Sequence, residues 1–293
     1  MEKEITPINK LSRSDKLKSY TKHPGSFVLL LLVSISAVLT VTVLIYLVGY
    51  ILIHGVPYLK PELFSFTYNS DNVSMMPAII NTVTMVLLAL LFSVPFGIGA
   101  AISLVEYAKK GNKLVELVRV TAETLTGIPS IVYGLFGMLF FVRALGWDYS
   151  MLAGAATLAI MVLPVIMRTT EEALLCVPDS FREGSFGLGA GKLRTIFKIV
   201  FPSAIPGILS GVILAIGRIV GETAALIYTA GTVAQVAGIM NSGRTLAIHM
   251  YSLSREGLHT NEAYATAVVL LVVVLLINGL SSLIARKLES ARE

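Results

Sequence analysis

"VPDSFREGSFGLGAGKLRTIFKIVFP", Val177–Pro202, holds two short amphipathic runs joined by glycines at 187, 189 and 191. Pro178 closes the segment before it. Ser180 followed by Glu183 has the spacing of a capping box, so a helix is predicted to start there. The three glycines predict a break and a sharp turn. From Lys192 a helical pattern resumes, with Leu193, Ile196, Phe197 and Val200 on one face. The stretch reads as a helix–turn–helix elbow, and what surrounds it decides the kind of protein that carries it.

The surroundings are apolar. Of 293 residues, 55% are hydrophobic and 14% are charged, against about 25% charged in soluble domains. Charge-free runs cover Phe27–Ile53, Met76–Val105, Thr124–Val142, Tyr149–Met167 and Ala263–Ala285. About 20 apolar residues suffice to cross a bilayer, so these are five predicted spans. Val200–Ala230 is a sixth, interrupted only by Arg218 and Glu222. The fold class is therefore an all-α polytopic membrane protein with six transmembrane helices. Residues 1–26 form a basic tail like the leading region of a signal peptide. The run after it is too long for a cleavable signal and is read as a retained first helix, residues 27–53. The elbow occupies a loop at about 168–199, between the fourth and fifth spans.

Basic residues set the predicted orientation. With the N-terminus cytoplasmic, eighteen of the 23 Lys and Arg lie inside, in the groups Lys3–Lys22, Lys109–Arg119, Arg168–Lys198 and Arg286–Arg292. Lys60, Arg143, Arg244 and Arg255 fall outside, and the remaining one is Arg218. The positive-inside rule then favours both termini in the cytoplasm. The same bias and anionic lipid account for the basic balance without nucleic acid. The single cysteine, Cys176, forms no intrachain disulfide. Outside, Tyr58, Phe64, Phe66, Tyr68 and Trp147 suit a membrane interface. In the outer segment 232–262, "TLAIHMYSL" is expected to form a helix lying on the outer surface.

"FGLGAGKL" superficially suggests a phosphate-cradling loop. Phe186 stands where that motif needs its first glycine, and Leu193 where it needs Ser or Thr. No nucleotide site is expected on this chain. The elbow fits another pattern: Glu183, two small residues (Gly184, Ser185), Gly189 four positions after Ser185, then Ile199, Val200, Phe201 and Pro202. This resembles the cytoplasmic "EAA" loop of the permease subunits of bacterial ABC importers, whose short helix docks on an ATPase subunit. Gly184 and Ser185 replace two alanines of that pattern, and Phe201 replaces a leucine. With "LTGIPSIVYGLFG" (125–137), "LAIMVLPVIMRTTEEAL" (158–174) and "GRIVGETAALIYTAG" (217–231), the chain is similar to the PstA family of phosphate-specific importer permeases over about 75–285.

The resemblance implies a type I ABC importer permease core, of the MetI-like kind, over residues 75–285, with a cytoplasmic tail at 286–293. It implies a pseudo-twofold pair with a PstC-type permease, two PstB-type ATPase subunits carrying ATP and Mg²⁺, and a PstS-type phosphate-binding protein outside. The docking residues it marks are Glu183, Gly184, Ser185, Gly189, Ile199 and Pro202. No cofactor or metal is expected on this chain, and no catalytic residue.

Arg218 and Glu222 pose the sharpest question. A buried arginine in a membrane is costly and marks function. At positions i and i+4 of one helix the two face the same side and can neutralise each other. One reading is a structural ion pair. The other is an anion path through Arg218, Glu222 and Thr223, in which the guanidinium fork grips oxyanion oxygens and the glutamate competes for it. Asn81, Thr82, Thr84, Thr124, Thr126, Ser130 and Tyr133 either line a polar path or bond between helices. Arg168 is read as the end of the fourth helix, facing the inner mouth or snorkelling to headgroups. His54, His249 and His259 fit no metal-ligand spacing. An intramembrane enzyme would need a catalytic pair within the spans, and none stands there. A secondary anion transporter would show inverted repeats and no docking loop. A permease for another oxyanion, such as molybdate or tungstate, is the nearer alternative.

Overall fold

The structure, a computed structural model, describes residues 24–109 and 111–290. The basic tail through Lys22, Lys110 and Arg292 lie outside the described residues, so the charge-bias reading there has no structural counterpart. Described secondary structure is helical throughout. The elements are α1 (Pro24–Gly55), α2 (Met76–Tyr107), α3 (Lys113–Thr126), α4 (Ser130–Ala144), α5 (Met151–Leu175), α6 (Asp179–Gly187), α7 (Lys192–Gly221), α8 (Ala224–Ile227), α9 (Leu246–Glu256) and α10 (Thr260–Ser290). Up to Ile53 the chain is one compact unit, and from His54 onward it is a second. In the second unit, α2, α5 and α7 pack together, with α4, α8 and α10 around them.

α1, α2, α5, α7 and α10 are each long and apolar enough to cross a membrane. The expected third span is different. α3 and α4 pass that test only as a pair, and they are bent by 101° at the break between them. The cause is Gly127-Ile128-Pro129. Pro129 has no amide to continue the ladder and disfavours helical backbone at Ile128. The Tyr133 hydroxyl donates to the Leu125 carbonyl at 2.8 Å, fastening the two sides of the bend.

The fourth span also departs from its expected end. α5 continues past Arg168 to Leu175, so Arg168 lies within the helix and the elbow loop begins at Cys176. Charge did not stop this helix because the charges are paired: Arg168 Nε donates to Glu172 Oε1 one turn on, at 3.1 Å. The last span likewise extends, from Ala285 to Ser290.

The core is built by close approach. Buried Met85, Leu158, Met161, Ile166, Ile219 and Leu226 form its centre. A second cluster near the elbow contains Ile102, Met167, Leu174, Ile196 and Val200. Glycine is required where helices touch backbone to backbone: a Cβ at Gly134 would come within 2.8 Å of Ala225 Cα. Small residues at such crossings are how helices associate in lipid. α9 is a helix as expected, and one of its faces is packed inside the protein. Leu246, Ala247, Ile248, His249 and Leu253 are buried, Leu246 and Leu253 against Leu63, Val73, Met75 and Ala78, while Tyr251 and residues 254–256 are exposed.

Candidate functional site

The elbow folds through its small residues. Ser185 is buried, and its hydroxyl shares a hydrogen bond with that of Thr195 at 2.8 Å. Gly189 adopts φ +82°, a conformation open to glycine and costly for other residues. The Gly189 and Ala190 amides donate to the carbonyls of Phe186 and Ser185 at 2.9 and 3.1 Å. The capping box is absent. α6 starts at Asp179, directly after Pro178, and no side chain caps it. Ser180 already lies inside the first turn, where Asp179 places a negative charge against the helix dipole. Glu183 and Gly184 are exposed, and Ile199 and Pro202 are half-buried. Leu188 is 91% exposed, and Phe181, Phe186, Leu193 and Phe197 are exposed as well.

Arg182 ties the elbow to the bundle. Its guanidinium donates to Glu106 Oε1 from Nε at 3.1 Å and from Nη2 at 2.8 Å. It also donates to the Val177 and Leu174 carbonyls at 2.7 and 2.9 Å. Lys192 adds its ammonium over the Tyr107 ring, 4.9 Å from the centroid. The last turn of α2 and the start of α7 are thus held to the same elbow.

Arg218 and Glu222 do not pair. α7 ends at Gly221, and Glu222 turns extended, with φ −73° and ψ 129°. Its buried carboxylate accepts the Ala225 amide at 3.0 Å, supporting the start of α8. A local side-chain bond of this kind competes with helix continuation, so the i, i+4 spacing places the residues on different elements. Arg218 is half-buried in the last turn of α7, with no acidic partner among the described residues. Its charge lies within electrostatic reach of Tyr133 on α4. Thr223 is half-buried beside the break, its hydroxyl 3.4 Å from the Gly221 carbonyl.

Arg168 lines a cavity of about 200 Å³ between α3 and α5. It bonds Glu123 at 2.5 Å across the gap and Glu172 along its own helix. Arg119 pairs with the buried Glu171 in the same cavity.

Residues 93–292 match the family described as "Binding-protein-dependent transport system inner membrane component". The chain belongs to this family of membrane permeases. It is 33% identical over 282 residues to a probable ABC transporter permease protein, YqgI, of Bacillus subtilis, covering 87% of this chain and 94% of that one. It is 30% identical over 277 residues to the phosphate transport system permease protein PstA of Haemophilus influenzae, covering 92% and 96%. In fold it is similar to a bacterial ABC transporter involved in the import of alginate, with TM-score 0.65 at 15% identity over 92% of this chain and 99% of that one. The permease is thus a PstA-type, multi-pass inner-membrane transport subunit with the type I ABC importer fold. Such permeases work with ATPase and binding-protein partners.

The elbow of this permease holds all the residues marked by the sequence pattern in one place. The anion-path residues are adjacent in chain but divided between α7 and the turn after it. Asn81 and Thr82 tie α2 to the loop after α8 and to the start of α9. Asn81 Nδ2 donates to the carbonyls of Gln235 and Arg244 at 2.8 and 3.1 Å, its Oδ1 accepts the Ala237 amide at 3.0 Å, and Thr82 accepts the Leu246 amide at 2.8 Å. They clamp the 233–246 loop onto α2. Thr84, Thr124 and Thr126 bond carbonyls of their own helices. Sequence reading missed Arg182, Glu106, Arg119 and Glu171. Their signal is charge at the margin of an apolar run, and their partners are too distant in sequence to be seen.

Proposed function

We propose that this chain is the PstA-type permease subunit of an ATP-driven importer that carries inorganic phosphate inward through a path containing Arg218. The observation that carries this reading is an arginine, half-buried in a span and free of any acidic partner among the described residues, at the end of the helix that begins in the elbow. A guanidinium without a protein carboxylate keeps its planar fork available to phosphate oxygens. Glu222, occupied as a cap, sets the end of α7 and positions Arg218; Thr223 stands beside it. Arg168 and the cavity it lines with Arg119 form the inner mouth. The partners are a PstC-type permease, two PstB-type ATPase subunits and a PstS-type phosphate-binding protein, in a lipid bilayer and without nucleic acid. ATP and Mg²⁺ bind on the ATPase subunits; the permease itself holds no cofactor and catalyses no covalent step. Glu183, Gly184, Ser185, Gly189, Ile199 and Pro202 shape the docking elbow, and both termini face the cytoplasm.

Phosphate uptake into vesicles carrying the whole complex tests this. Arg218→Gln should abolish uptake at matched membrane abundance. Arg218→Lys should impair it, because the charge stays and the bidentate fork is lost. Arg218→Gln combined with Glu222→Gln should remain inactive, since the two side chains do not pair. Recovery in the double variant would refute the anion role of Arg218. Uptake of molybdate in preference to phosphate would refute the substrate.

A further inference from the structure

The 231–245 loop and the first turn of α9 hold polar groups whose hydrogen-bonding capacity is unused. Arg244 is 5% exposed, and its guanidinium lies 4.5 Å from the centroid of the Tyr68 ring. No carboxylate pairs with it among the described residues, and its Nη2 is buried without an acceptor. Thr245 precedes α9 with extended backbone, φ −79° and ψ 170°. A hydroxyl in that position ordinarily accepts an amide of the first turn. Here its Oγ1 is buried and bonds nothing. His249 is fully buried, and neither ring nitrogen has a hydrogen-bond partner.

Tyr68 brings these groups together. The His249 ring meets Tyr68 edge-on at 6.2 Å, and Arg244 lies over the same ring. Burial, and then the nearby Arg244 charge, push the His249 pKa down to about 3; the Val73 carbonyl acts the other way from a position that completes no hydrogen bond. The imidazole is therefore neutral and carries one N–H donor. The first turn of α9 adds backbone donors, because amides at a helix start have no acceptor one turn back. The Leu246 amide is taken by Thr82 and the His249 amide by the Thr245 carbonyl. The amides of Ala247 and Ile248, both buried, remain.

The surroundings are fixed. Asn81 clamps the loop, and a Cβ at Gly243 would meet Asn81 Nδ2 at 2.7 Å. Val73, packed in the same cluster, is buried with φ +37°, a strained backbone for a β-branched residue. Strain of this kind persists where neighbours over-determine it, and it concentrates at functional sites. Water can satisfy the neutral donors but does not offset the charge of Arg244; an anion does both. A guanidinium fork with amide, hydroxyl and imidazole donors in several directions suits a tetrahedral oxyanion better than a spherical halide.

We propose that Arg244, Thr245, His249 and the Ala247 and Ile248 amides form an enclosed site for a small inorganic oxyanion, at the end of the bundle remote from the elbow. The site is separate from Arg218 and does not depend on the phosphate reading. The test is the thermal midpoint of the full chain in lipid nanodiscs, titrated with inorganic phosphate, sulfate or chloride at constant ionic strength. The midpoint should rise saturably with phosphate or sulfate, more than with chloride, and equally in Arg218→Gln. Arg244→Met and Thr245→Val should each weaken the apparent affinity by about tenfold or more, as expected for loss of a charge-assisted hydrogen bond. Should Arg244→Met fail to fold, Thr245→Val and His249→Gln decide the matter by the same criterion. The proposal is overturned if no oxyanion raises the midpoint, if chloride acts equally, or if the response disappears in Arg218→Gln and survives in the Arg244, Thr245 and His249 variants.

Discussion

Arg182→Ala should release the elbow from the bundle. The side chain is 14% exposed and its partner Glu106 is 9% exposed, so the pair is largely removed from water. The substitution leaves Glu106 with no counter-charge in a largely buried position, and takes the guanidinium donor from the Val177 and Leu174 carbonyls, of which Leu174 keeps the Val177 amide. The further contact to Asp179 adds little, because that carboxylate is 81% exposed. Breaking one side of a buried ion pair costs about 3–5 kcal/mol. At about 1.4 kcal/mol per factor of ten, the docked elbow would lose roughly a thousandfold in population relative to the detached one. Hydrogen exchange of the α6 amides in the full-length protein measures this directly. Arg182→Ala should accelerate that exchange by two to three orders of magnitude (about 3–4 kcal/mol) while membrane insertion is unchanged. Arg182→Leu with Glu106→Leu should recover most of the protection, because a well-packed apolar pair often replaces a buried ion pair without loss. Exchange accelerated by less than about tenfold in Arg182→Ala, or a double variant as unprotected as the single one, would refute the assignment of Arg182 as the tie.

Three further outcomes are expected. Gly189→Val forces a β-branched residue to φ +82° and should strain the turn by about 1–3 kcal/mol, so ATPase association measured by copurification should fall while membrane abundance holds. The folded-state pKa of His249 is depressed, so its contribution to stability is complete above about 6.5 and is lost as pH falls toward about 3. In phosphate-free buffer the unfolding free energy should drop across that window by up to about 1.4 kcal/mol per pH unit, and His249→Gln should remove that component. A cysteine at exposed Asn241, in a Cys176→Ala background, should react with an impermeant thiol reagent added to intact cells; reaction only after the inner face is opened would reverse the orientation.

The apolar runs made most of the fold legible, because a bilayer demands long helices whatever else the chain does. Where they misled, the reason was local. Charge-free length ended the fourth span at Met167, but Arg168, Glu171 and Glu172 remain helical because their charges are neutralised across to Glu123 and Arg119. The third span hid a 101° bend because hydropathy averages over Pro129. Periodicity put Arg218 and Glu222 on one face by assuming that the helix continued. Gly221 and a carboxylate bonded to the Ala225 amide end it between them. The elbow was legible in its glycine and small-residue spacing, whereas Arg182 was not, since nothing in "SFREG" reveals that its partner is Glu106. The Arg244–His249 cluster was invisible for the same reason. Tyr68, Arg244 and His249 meet only after α9 packs against the cluster of Leu63, Val73 and Met75.

The elbow is joined to two rods at once, and this decides what its movement can do. α7 is one helix from Lys192 to Gly221, so Thr195 and Arg218 lie about 34 Å apart along it at 1.5 Å per residue. Its weak point is at the elbow end, where a π-helical turn spans Ile196–Val200 and Pro202 and Pro206 follow. Buried Ile196 and Val200, packed with Leu174 and Val177, hold that turn in place, so displacement of the elbow reaches the helix above it. α2 is the second rod. Glu106 grips Arg182 at one end, and Asn81 grips the 233–246 loop at the other, about 38 Å away along the helix. A push on the elbow would therefore move Arg218 through α7 and the Arg244 loop through α2 together. With Arg182 removed, α7 keeps its connection through Ser185 and Thr195, while α2 loses its ion pair and keeps only the Lys192–Tyr107 contact and the packing of Ile102. Arg182→Ala should then depress phosphate uptake more than it depresses ATP hydrolysis by the assembled complex, because the stroke reaches α2 less firmly than α7. Equal loss of both activities would mean that the elbow acts as a docking surface alone.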